Sequence, residues 1–130
     1  MTKDNFKELI VSVLDRDTSA HPEQWTWGNP FWGHCTVVSL LAQDIFGGDI
    51  MRVDLSKVPG FENIKWHSWN RLPDGEEIDF TKSQFHKKFP ENLKPWVADR
   101  TQLFSYGGIE KRYLLLKERF DKFINKKFGK

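Results

Sequence analysis

The chain has one cysteine, Cys35, so it can form no internal disulfide and no thiolate-rich zinc site. It has no apolar run approaching the roughly 20 residues of a membrane span. Its first residues, MTKDNFKELI, are charged and lack the apolar centre of a signal peptide. It has no excess of one charge: 20 Lys and Arg face 18 Asp and Glu, which gives no electrostatic case for binding nucleic acid or a membrane surface. Internal repeats and low-complexity segments are absent too. These absences lead to the expectation of a cytoplasmic protein with no membrane and no nucleic-acid partner, and with no cofactor. The 130 residues fit one domain, 1–130.

What is present is aromatic. Six Trp and eleven Phe supply much of the area a core of this size needs. In DNFKELIVSVL, residues 4–14, Phe6, Leu9, Ile10, Val13 and Leu14 share one helical face. DRDTSAHPEQWTWGNP holds breakers and turn formers without a sustained period and reads as loop. CTVVSLLAQDIF, residues 35–46, has the length and apolar content of a buried helix, and Gly47-Gly48 ends it. DIMRVDL then alternates as a strand. IKWHSWNRL and EEIDFT read as two more strands joined by the hairpin signal Pro73-Asp74-Gly75. KSQFHKKF reads as a short helix, PENLKPW as a loop, and residues 109–128 as a long helix with Tyr113, Leu116, Phe120, Phe123 and Ile124 on its apolar side. Helices, then strands, then helices predict an α+β fold: a central Cys-bearing helix on a small antiparallel sheet, with N- and C-terminal helices.

Three residues can carry chemistry together. Cys35 follows Gly33 and opens the apolar helix, where free N–H groups and the helix dipole favour a thiolate. A three-residue hairpin loop with Gly75 left-handed pairs Leu72 with Glu76. By counting outward, Trp69 falls opposite Asp79 and His67 opposite Thr81, all on one sheet face. Asp79 then lies diagonally across from His67, within reach of its ring. A two-residue loop would turn Asp79 to the other face.

A Cys at the start of a buried helix, then H-x-W on one strand and D-x-T on the next, resembles the papain-like superfamily, in particular its transglutaminase-like and arylamine-acetyltransferase-like branches. More narrowly, GHC, LLAQDIFGGDI, HSWNRLPDGEEIDFT and QF in that order, with a weaker echo in KRYLLL, are similar to the YunG-like family of small bacterial proteins. The superfamily resemblance implies Cys35 as nucleophile, His67 as base and acid, and Asp79 as the group that orients His67. It also implies an oxyanion-binding amide six residues before the cysteine, which is Asn29, with Gln24 a second candidate on the same loop. Trp32 and Trp69 lie close to the proposed catalytic groups and are candidate walls of a substrate groove. The expected activity is that of a cysteine hydrolase or acyltransferase acting through a thioester on an amide or isopeptide bond, with a small-molecule or protein substrate. The alternative is a non-catalytic binding or immunity-type protein on the same scaffold.

The bland readings stand beside these. A lone Cys often only fills space. His67 alone reads as a strand histidine and Asp79 alone as a cap. His34 flanks the site, and His21 and His86 have no assigned role. A metal site from Cys35, His34 and His67 matches no usual zinc spacing, so none is expected.

Overall fold

The apolar periodicity of residues 4–14 produces a helix, but a shorter one. In the computed structural model, which describes residues 1–129, α1 (Lys3–Ile10) gives way to a tighter 3-10 turn at Val11–Val13. Thr2 caps α1 by accepting the Asn5 N–H at 3.1 Å. The further elements are α2 (Cys35–Phe46), β1 (Asp49–Asp54), β2 (Trp66–Arg71), β3 (Glu77–Ile78), β4 (Trp96–Val97), α3 (Arg100–Ser105) and α4 (Ile109–Phe128). The strands form one antiparallel sheet in the order β3-β2-β1-β4. The fold is α+β.

Both faces of the sheet are covered, which explains why β1 is buried at four consecutive positions. Ile50, Arg52, Ser68 and Asn70 face α2. Two hydrogen bonds fix that side: Asn70 Nδ2 to Ser39 O at 3.0 Å and Thr36 Oγ1 to Ser68 Oγ at 3.2 Å. Val53, His67 and Trp69 face the other way, toward a smaller apolar cluster with Leu55, Phe61, Phe85 and Phe89. The larger core gathers α1, α2 and α4 around Phe6, Leu40, Leu103 and Leu116.

The hairpin has the expected register. Leu72 N–H donates to Glu76 O at 2.7 Å, Gly75 has φ +92°, and Asn70 pairs with Ile78. Three predicted elements differ. β3 covers two residues rather than 76–81, because Asp79 Oδ1 accepts the Thr81 N–H at 3.1 Å and its hydroxyl at 3.3 Å. That local turn takes the chain out of the ladder. The expected helix at 82–89 is only a 3-10 turn at Lys82–Gln84. The expected loop at 90–96 ends in β4, whose two exposed residues carry no strand period. α3, capped by Asp99 on the Gln102 N–H at 2.9 Å, was not anticipated.

Phe6 is fully buried and meets Phe46, Phe80 and Phe120 edge-on at centroid distances of 5.7, 4.9 and 5.6 Å. It ties α1 to α2, to the segment after β3 and to α4. Phe6→Ala is expected to destabilise the fold by about 3–5 kcal/mol, as measured by denaturant unfolding.

Candidate active site

The start of α2 is fixed by its approach. Gly33 has φ +76°, and a Cβ there would stand 2.2 Å from Ser19 Oγ and 2.9 Å from Ala20 N. Only glycine fits both the angle and the space. The Gly33 carbonyl accepts the Ala20 N–H at 2.9 Å, and its own N–H donates to Gln84 Oε1 at 3.2 Å. Gln84 is buried and donates Nε2 to Thr81 O at 3.1 Å and Thr81 Oγ1 at 3.0 Å. His34, fully buried, pairs Nε2 with Thr18 Oγ1 at 2.7 Å. Burial pushes its pKa down to about 4, so it stands neutral as an anchor beside the site.

Cys35 follows as the first residue of α2, partly exposed, where the opening N–H groups of the helix have no partner within it. Burial acts to raise its pKa. The outcome is nevertheless a lowering, through hydrogen bonding to and the charge of His67, the Ser68 N–H and the Thr36 hydroxyl. Leu72 and Asn70 turn their backbone groups toward β3, and by alternation so does Ser68. β3 has already ended there, so the Ser68 N–H faces an open edge of β2.

His67 is fully buried against Phe85 and Phe89, and its Nε2 lies 2.5 Å from Asp79 Oδ2. Nδ1 has no partner of hydrogen-bonding geometry. The ring also couples to the Cys35 thiol. Burial acts to lower the His67 pKa, but Asp79 and Cys35 together raise it to about 9. The two shifts are opposed, the Cys35 thiol lowered and the His67 ring raised, so each favours the charged form of the other. The structure thus brings Cys35, His67 and Asp79 together.

Cys35 opens into a cleft of about 460 Å³. Trp32 lines it; Asn29, Gln24 and Trp69, the other candidates, do not. Asn29 turns away, its Nδ2 engaged by Gln84 O at 2.9 Å and His86 Nε2 at 3.3 Å. Gln24 is exposed and accepts from Trp32 Nε1 at 3.3 Å. Trp69 stacks on the His67 ring at 5.8 Å, donates to Glu77 Oε1 at 2.7 Å, and borders a separate depression with Asp79. It holds His67 from behind. Gln84 lines the cleft but cannot serve as an oxyanion donor, since both its N–H bonds already have acceptors. The remaining donors are the N–H groups at the start of α2.

Cleft residues missed from sequence include Arg52, Lys65, Arg112, Trp66 and Tyr106. Among the described residues no helix is long and apolar enough to cross a membrane, and no three His, Cys, Asp or Glu side chains cluster as metal ligands.

The depressed pKa of His34 sets the acid response. The unfolded chain takes up a proton there near 6.5 and the folded chain only near 4, so stability falls as pH falls through that interval. Denaturant midpoints measured from pH 7 to 4 are expected to decline. His34→Gln, which keeps an amide in reach of Thr18, should flatten that limb.

The comparisons with known proteins agree with the motif order. The family model described as YunG protein matches residues 2–125. The "Uncharacterized protein YunG" of Bacillus subtilis (strain 168) is 29% identical over 119 residues, covering 91% of this chain and 94% of that one. No solved structure gives a significant match. The chain belongs to the YunG protein family.

Proposed function

We propose that the protein is a cysteine-dependent hydrolase or acyltransferase on a papain-like scaffold, acting through a thioester on an amide or isopeptide bond. The observation that carries this reading is the placement of His67. One ring nitrogen is held 2.5 Å from Asp79, and the ring couples to Cys35, which lines an open cleft. A binding protein on the same scaffold has no need to keep its one thiol partly exposed and biased toward the anion.

In the proposed reaction the Cys35 thiolate attacks the carbonyl carbon, forming a C–S bond and a tetrahedral oxyanion. The N–H groups at the start of α2 face the developing charge. His67, already an imidazolium, donates its Nδ1 proton to the leaving amine as the C–N bond breaks. The thioester remains. Water or an acceptor amine then gives its proton to His67 and attacks the thioester, and the returning thiolate restores the ion pair. Asp79 keeps the ring oriented and favours the imidazolium, as the acid of a Ser-His-Asp triad does.

The test is alkylation of Cys35 by iodoacetamide across pH, read by intact-protein mass spectrometry. Reaction should persist well below the ordinary thiol pKa of about 8.5. His67→Ala should move the midpoint upward without a full return to the free-thiol value, because the helix start remains. Asp79→Asn should act in the same direction more weakly. A shared midpoint near that of free cysteine in all three proteins would remove the mechanism and leave the binding reading.

A further inference from the structure

The cleft around Cys35 is cationic although the chain as a whole is nearly balanced. Arg52, Lys65 and Arg112 line it, and no Asp or Glu does. Arg52 is 6% exposed. Among the described residues it has no carboxylate partner. Its Nη1 reaches only hydroxyls, Thr36 Oγ1 at 3.3 Å and Ser68 Oγ at 3.5 Å. Its guanidinium is flanked by Trp66 and Tyr106, with ring centroids 5.3 and 5.5 Å from Cζ. Arg112, half-buried on the first turns of α4, likewise has no ion-pair partner among the described residues. Aromatic faces offset part of the desolvation of a buried cation, but a charge held this way is ordinarily paired.

We propose that the cleft takes substrates carrying a carboxylate, seated between Arg52 and Arg112 beside the bond that Cys35 attacks. This rests on the acyl-transfer reading and narrows its substrate class to acidic amides of small-molecule or short-peptide size, which a cleft of about 460 Å³ accommodates. The planar guanidinium fork matches two carboxylate oxygens, and Lys65 adds to the positive field of the two arginines. Trp66 and Trp96, edge-on at 6.2 Å, supply an apolar wall for the rest of the molecule.

Two alkylating reagents of nearly equal size separate the ideas: iodoacetate, which carries a carboxylate, and iodoacetamide, which does not. Both react with the same thiolate, so the ratio of their rates cancels the thiolate fraction. Because Cys35 is the only cysteine, the urea-unfolded chain supplies the reference ratio for the same residue. The folded protein at low ionic strength should favour iodoacetate by about tenfold over that reference, and added salt should erode the preference. Arg52→Gln should abolish it. Arg112→Gln, at a half-buried position, should reduce it and serves as the variant that keeps the fold. Acetate should protect against iodoacetamide better than propionamide does. A folded ratio equal to the reference, with iodoacetamide still reacting at low pH, would overturn the carboxylate site while leaving the acyl-transfer reading standing. Protection by inorganic phosphate stronger than by acetate would overturn the choice of a carboxylate. Failure of iodoacetamide itself at low pH would strike the acyl-transfer reading instead.

Discussion

The site depends on β3 ending early. A strand continuing through Phe80 would satisfy the Ser68 N–H with its own carbonyl and close the edge of β2. Instead the Asp79 side chain accepts the Thr81 N–H and hydroxyl, and the chain turns out of the sheet. Phe80 drops into the main core against Phe6 at 4.9 Å. The vacated edge leaves the Ser68 N–H without a strand partner, free to help lower the Cys35 pKa, and the residue that makes the turn is the one whose other carboxylate oxygen holds His67. One short aspartate therefore breaks the strand, opens the edge and orients the ring. Glutamate, with a longer stem, could not make the same turn to a backbone two residues on.

Charge at the site is organised by layers of the sheet. His67 lies on the face away from α2, among Phe85, Phe89 and Trp69, where low polarity strengthens its coupling to Asp79. Arg52 lies on the α2 face, reaching Thr36 on the first turn of the helix. Cys35 is coupled to both His67 and Arg52, and that coupling to cations works against its burial, which alone would favour the neutral thiol.

Much of this was legible because it rests on local rules. The Pro73-Asp74-Gly75 turn fixes the pairing of Leu72 with Glu76, and period-two counting carries His67 and Asp79 to one face. The apolar run from Val37 to Ala42 and the Gly47 stop define α2, and the long final helix spans the residues its period marks out. What was not legible depends on distant partners. Asn29 has the right offset from Cys35 but turns to a carbonyl 55 positions away. Gln84 and Arg52 are ordinary polar residues in sequence and become buried only because α2, the sheet and the 3-10 turn close around them. β4 is two residues long and paired only to β1, too short for any period. α3 did carry a signal in its Asp99 cap, but six residues hold too little apolar pattern to stand out.

The position of α2 along β2 is set by polar contacts, and this decides where the sulfur sits. Apolar packing between a helix and a sheet tolerates sliding, since methyl groups exchange neighbours at small cost. Hydrogen bonds do not. Asn70 donates to the Ser39 carbonyl at mid-helix, and Thr36 meets Ser68 one turn earlier. The two pairs are spaced two residues apart on the strand and three on the helix. A shift by one helical turn, about 5.4 Å, would break both and leave buried donors unmatched. Gly33 and His34 hold the same register from the other end, through Gln84 and Thr18. The apolar residues thus supply most of the stabilisation and the polar seam supplies the coordinate. A nucleophile that must lie within reach of a ring fixed on another element requires that second kind of information.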